Sequence, residues 1–181
     1  MKAGRHPSVK QLKSEIDMPS NTKAFTLPQT AKFNVITVIA AVTAALAATS
    51  SASLGWPVWA MFMGWVAFFT RGHSAKEAIY SYLCLASGIV MGVGAVLAVG
   101  ALLPLIGPFA FGAVVFVVAM IVVSLRVAAP LNNIPAYFLG LITFFAAHME
   151  PSILAVSELL SVSGVGSFAA WLAHRLQGKV S

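Results

Sequence analysis

The sequence predicts an all-α membrane protein, with six transmembrane helices arranged as two inverted three-helix repeats. Three observations carry this expectation: scarcity of charge, a succession of apolar segments, and an internal match between the two halves. Eleven Lys/Arg and five Asp/Glu make up 9 % of 181 residues, where a soluble domain carries about 25 %. The hydrophobic fraction is 59 % and the mean hydropathy +0.90. A chain of this composition lacks the polar side chains to cover itself in water, so lipid is the expected solvent. Few acids, bases or ligands remain for catalysis, so no enzyme is expected. The single Cys84 excludes an internal disulfide and a cysteine-based metal cluster.

Residues 1–32 form a basic lead-in with six Lys/Arg, Glu15 and Asp17, and prolines at 7, 19 and 28. That pattern reads as a mostly disordered cytoplasmic tail. Ser8 and Gln11 have capping-box spacing, and Val9, Leu12 and Ile16 fall near one helical face. A short amphipathic helix on an anionic membrane surface is the alternative to a solvated tail.

Six apolar segments follow, at about 33–53, 56–70, 78–103, 105–125, 134–147 and 153–173. At about 1.5 Å per residue, 21 residues cross a hydrocarbon core of about 30 Å. The second and fifth are shorter, and each begins at a breaker: Gly55-Trp56-Pro57 and Pro130-Leu131-Asn132-Asn133-Ile134-Pro135. A cleaved signal peptide competes for the first segment, because Ala-Thr-Ser-Ser-Ala-Ser follows it. The 32-residue basic lead-in is long for that, which favours a retained helix.

The positives set the topology. With six spans and a cytoplasmic N-terminus, the tail, the 71–77 loop (Arg71, Lys76), the 126–133 loop (Arg126) and the C-terminal 176–181 region with Arg175 and Lys179 all lie inside. All 11 positives then share one side, and the outer turns hold none. The net charge of +6 is therefore a topology label, and no nucleic-acid partner is expected.

At an offset of 76 the chain matches itself without gaps. Ala60, Phe62, Gly64, Phe68 and Phe69 pair with Ala136, Phe138, Gly140, Phe144 and Phe145. The register continues through Ser81/Ser157, Leu83/Leu159 and Ser87-Gly88/Ser163-Gly164, and backwards through Phe33/Phe109, Val38/Val114, Val42/Val118 and Ala52/Ala128. The offset maps spans 1, 2 and 3 onto 4, 5 and 6. An odd number of spans per repeat reverses direction, so residues 33–103 and 105–175 are expected as inverted repeats. A duplicated hairpin kept only for packing is the other reading.

In inverted-repeat transporters, paired short Gly/Pro-interrupted spans point to the binding region. Spans 2 and 5 supply the candidates. Trp56, Pro57 and Trp59 stand at the start of span 2, where an aromatic belt is the plainer role. Asn132 and Asn133 precede Pro135; one amide suits a helix cap and the other solute contact. Phe62 and Phe138, with Phe68/Phe144 and Phe69/Phe145, are symmetry-related pairs that suit apolar constrictions or ordinary core and lipid contacts. Glu158 is the acid placed well inside a span, a functional-site candidate by default. His148 and Glu150 lie at an outer turn, and His6, His73 and His174 on the cytoplasmic side without ligand spacing. No Walker loop, dinucleotide fingerprint, G-x-S-x-G or H-E-x-x-H occurs, so no catalytic residue, metal or cofactor is expected. Small residues recur at Ala40, Ala44, Ala48 and Ala52, at Gly88 and Gly92, and at Ser163/Ser167 with Gly166/Ala170. They suit close helix packing within one subunit or in a homo-oligomer.

Two stretches carry a resemblance: Leu54-Gly55-Trp56-Pro57-Val58-Trp59 through Gly64-Trp65-Val66-Ala67-Phe68-Phe69-Thr70-Arg71-Gly72, and Asn132-Asn133-Ile134-Pro135-Ala136-Tyr137-Phe138-Leu139-Gly140. They resemble a family of small bacterial inner-membrane proteins known as a domain of unknown function, the YcdZ-like proteins. The resemblance covers about residues 33–175. It implies a bacterial plasma-membrane location and no particular substrate. In size and layout the chain is also similar to small amide/urea channels and acetate-uptake proteins. The expectation is an inner-membrane channel or facilitator for a small neutral or weakly acidic solute, surrounded by lipid and assembled as a homo-oligomer. The alternative is a non-transporting scaffold that binds a partner.

Overall fold

The computed structural model describes residues 28–180, and the proposed surface helix around Ser8 to Ile16 lies outside them. Six α-helices follow in order: α1 (Gln29–Ser53), α2 (Val58–Phe69), α3 (Ala75–Ile106), α4 (Phe109–Ser124), α5 (Ile134–Ala147) and α6 (Ile153–Gln177). No strand occurs among the described residues. A 3₁₀ turn over Leu125–Val127 extends α4.

Local chemistry explains the ends. The side chains of Ser74 and Ser152 cap α3 and α6, accepting from the backbone N–H of Glu77 at 3.2 Å and of Ala155 at 3.1 Å. Gly55 and Gly107 take positive φ after α1 and α3, where a Cβ would be strained. Proline 57 is the residue before α2, and Pro135 sits in the first turn of α5, where its missing N–H costs nothing. His148 closes α5 in a left-handed conformation.

Among the described residues four helices are long and apolar enough to cross a membrane: α1, α3, α4 with its 3₁₀ extension, and α6. The six expected spans are thus four full-length helices and two short ones. With 12 and 14 residues, α2 and α5 reach only about 18 and 21 Å, against about 30 Å of hydrocarbon. The expected fifth segment, 134–147, matches α5; the third runs on to Ile106 through Pro104, where a break was expected. The ring of Pro104 is accommodated near the helix end, leaving only the final turn beyond it.

The packing is reciprocal. Short α2 lies on α6, and short α5 lies on α3. Around these pairs, α1 covers α6 and α4 covers α3, while α3 also meets α6 and α2 also meets α5. Glycines set the close pairs. A methyl on Gly64 would fall inside the carbonyl of Ser163, and one on Gly166 inside that of Met61. On the other side, a methyl on Gly140 would meet the carbonyl of Leu85, and one on Gly88 that of Tyr137. Such contacts replace the hydrophobic force that lipid withholds, because backbones in contact maximise dispersion.

Burial repeats between the halves, in two registers. Ala60, Met61, Gly64, Ala67 and Phe68 are buried, as are the residues 76 later: Ala136, Tyr137, Gly140, Thr143 and Phe144. The buried Ser81, Cys84, Leu85, Gly88, Ile89, Gly92 and Ala95 of α3 correspond at an offset of 78 to buried residues of α6. Thus Gly88 is matched by Gly166, not by Gly164 as the ungapped alignment paired it. The extra two residues are the difference in length between α5 and α2. In α1 the buried stripe is Thr43, Ala47 and Ser51, beside the expected alanine stripe. Val38 and Ala52 are exposed on α1, and so is Ala128 after α4. The pairings Val38/Val114 and Ala52/Ala128 therefore do not mark matching buried positions.

The small-residue faces of α3 and α6 are used within the chain. Buried hydroxyls mostly return to their own helix: Thr43, Ser51, Thr143 and Ser163 donate to the carbonyl four residues back. Two hydroxyls donate across to another helix, Ser167 Oγ to the Gly64 carbonyl and Tyr82 Oη to that of Leu160, each 2.8 Å. The outward faces are apolar, with Phe109, Phe111 and Phe116 exposed on α4.

Candidate functional site

One end of the bundle gathers the polar groups. His73 stacks on His174, with ring centroids 4.7 Å apart. Gln177 donates to the Ile36 carbonyl at 3.0 Å, and Arg71 reaches Pro130 and Asn132. These contacts bring the start of α1, the α2–α3 turn, the α4–α5 turn and the end of α6 to the same end. Arg71, Lys76, Arg126, Arg175 and Lys179 all belong to these segments.

At the centre of this end, Asn133 is 5 % exposed. Its side-chain N–H₂ donates to Thr70 Oγ1 at 2.7 Å and Ser81 Oγ at 2.9 Å. Thr70 in turn donates to the Ala67 carbonyl at 2.6 Å. Both amide hydrogens thus have hydroxyl acceptors, which offsets the cost of burying the group. Around this core, the Arg71 guanidinium pairs with Glu77 and donates to the Pro130 carbonyl and to Asn132 Oδ1. Tyr137 Oη donates to the Leu131 carbonyl at 3.1 Å. The α2–α3 turn is thereby fastened to the α4–α5 turn by planar, charge-assisted bonds.

The expected capping bond is not seen at Asn133, although the residue precedes α5. Asn132 is an exposed acceptor for Arg71. Capping lost because the bundle offers Asn133 two buried hydroxyls, a better environment than one exposed helix end.

The paired phenylalanines divide by helical face. Phe68 and Phe144 are buried, at 1 % and 2 % exposure. Phe62 and Phe138, at 42 % and 38 %, lie on the face of their helices opposite the glycines, with Phe69 and Phe145. They therefore point away from the α2–α6 and α3–α5 seams. Phe138 instead borders an apolar crevice of about 220 Å³ with Val99, Phe111 and Phe145.

Trp56, Pro57 and Trp59 are half-buried at the start of α2, with both tryptophans packed against the core. Pro135 is exposed in the first turn of α5. Glu158 is half-buried on α6 and has no hydrogen bond or ion pair among the described residues. The candidates thus do not converge: Asn132, Asn133 and Pro135 share the basic end, while Trp56, Pro57 and Trp59 belong to the turn entering α2.

Thr70, Arg71, Glu77 and Ser81 were missed as site residues. A Ser74-Ala75-Lys76-Glu77 capping box was legible, but Glu77 turns to Arg71. Nothing local marks Thr70 as a partner of a residue 63 positions on. Among the described residues no group of three or more His, Cys, Asp or Glu side chains is placed to hold a metal ion.

A crevice also opens between α3 and α6. Its volume is about 410 Å³, and its walls include Ile79, Tyr82, Ser161, Gly164, Phe168 and Trp171.

These features define an apolar six-helix bundle with four helices of membrane-spanning length and one polar end. The chain belongs to the family described as "Protein of unknown function (DUF1097)", whose model matches residues 37–176. Comparison with curated proteins and with solved structures gave no match.

Proposed function

We propose that this protein is an inner-membrane facilitator for a small neutral or weakly acidic solute, built from two inverted repeats. The observation that carries the reading is the reciprocal seating of the two short helices. Each lies on the long third helix of the other half, through glycine contacts that recur with the same partners exchanged. In inverted-repeat transporters, such short elements at corresponding positions line the solute site. The hydroxyl and amide cluster of Thr70, Ser81 and Asn133 is then the polar mouth. Counted from the helix ends, Thr70 and Asn133 correspond to His148 and Pro57, and Ser81 corresponds to Leu159, so the two mouths differ in their polar groups.

Bunching of the basic residues at the Asn133 end supports a cytoplasmic location for that end and for both termini. Proteoliposomes loaded with urea, short amides, acetate, formate or glycerol provide the test. Flux above that of empty liposomes is expected for at least one of them; none for any of them removes the reading. A scaffold role is favoured instead by the outward apolar face of Phe62, Phe69, Phe138 and Phe145. A stoichiometric partner purified with the protein, lost on Phe62→Ala/Phe138→Ala substitution, would establish that role.

A further inference from the structure

We infer that the α3–α6 crevice is a binding site for an anionic glycerophospholipid of the leaflet at the basic end. The shape is the first reason. The crevice extends along α6 from Leu160 to Trp171, about 16 Å at 1.5 Å per residue. That is roughly half of a 30 Å hydrocarbon core, the depth of one leaflet. Its walls are almost wholly apolar, and exposed Ile79 and Phe168 form its rims. Gly164 keeps the floor low, and the only nearby group that a methyl there would crowd is the Tyr82 hydroxyl, 3.3 Å away. Tyr82 Oη is already satisfied by the Leu160 carbonyl, so the floor does not ask for water. An acyl chain suits the apolar walls of this slot.

Charge at one end of the crevice is the second reason. Arg175 lies one turn beyond Trp171 on the same face of α6, its guanidinium 5.6 Å from the indole centroid. Lys179 follows, exposed, in the turn after α6. The stacking of His73 on His174 holds the turn before α3 next to this part of α6. The first-turn amides of α3, at Ala75 on the crevice wall, therefore lie on the same side as Arg175. The nearest acid, Glu77, is neutralised by Arg71. A guanidinium over an aromatic ring, the positive end of α3 and an apolar slot together match a phosphate diester carrying an acyl chain.

Native mass spectrometry of the full chain, delipidated and titrated with phosphatidylglycerol or phosphatidylcholine, tests the site. Phosphatidylglycerol should be retained through detergent washes and phosphatidylcholine should not. Arg175→Gln should weaken phosphatidylglycerol binding about fivefold. Ser161→Trp, at an exposed wall position, should abolish it by filling the slot. Both sites are on the surface, so unchanged melting of the two variants keeps the comparison fair. Equal retention of the two lipids overturns the proposal. So does unchanged binding by the Ser161→Trp variant, or a lipid-free dimer that this substitution dissociates.

Discussion

Gly88 of α3 and Gly140 of α5 face each other with no side chain between their backbones. Gly64 of α2 and Ser163 of α6 meet in the same way on the other side of the bundle. Two helices that contribute nothing but backbone at their crossing cannot move apart without losing dispersion over the whole seam, and cannot accept a methyl without doing so.

The seams should accordingly be intolerant of alanine. Gly140→Ala and Gly64→Ala should each cost about 1–3 kcal/mol by overpacking. Gly94, mid-helix in α3 with open space beside it, is the control. Gly94→Ala should leave stability unchanged or raise it by about 0.5–1 kcal/mol, because glycine is a poor helix former. Thermal melts in detergent separate the two classes, and a tolerated Gly140→Ala would refute the close seam.

Asn133→Leu should destabilise by about 1–3 kcal/mol, since it strands two hydroxyls that now accept from the amide. Asn132→Ala removes one exposed acceptor of Arg71 and should cost under about 1 kcal/mol. Similar melting losses at both positions would contradict the buried role of Asn133.

Arg71→Gln should loosen the α4–α5 turn, because it removes the bridge from Glu77 to Pro130 and Asn132. Faster hydrogen exchange at residues 128–133, with α6 unchanged, is the expected signature. Unaltered exchange there would mean that Asn133 holds the turn alone.

Cys84 is fully buried, which gives a quiet background for mapping orientation. Under the proposed topology, a membrane-impermeant maleimide added outside intact cells labels a Glu150→Cys variant. A Lys76→Cys variant reacts only after the membrane is opened. The reverse pattern would turn the bundle over.

Among the described residues Glu158 has no hydrogen-bond or ion-pair partner. A facilitator for uncharged solute should therefore keep its flux in Glu158→Gln. Loss of flux in that variant would instead make the carboxyl a proton-coupling group.

The helices and their order were legible because apolar runs and breakers are local signals: Gly55, Pro57 and Pro135 act within a few residues of themselves. The clustering of positives was legible for the same reason, since alternation of helices places them automatically. The faces were harder. In helices apolar all round, Phe62 and Phe68 look alike in sequence, and only the position of Gly64 against α6 separates the outward ring from the buried one.

Solvent class and helix number thus follow from composition and local grammar, because transfer free energies and chain breakers act residue by residue. The partners of Asn133, the two-residue change of register between α2/α5 and α3/α6, and the crevice beneath Arg175 follow only from tertiary packing. Each depends on which helix lies beside which. In lipid that choice is made by backbone proximity and a few buried hydrogen bonds, not by a pattern of apolar and polar residues.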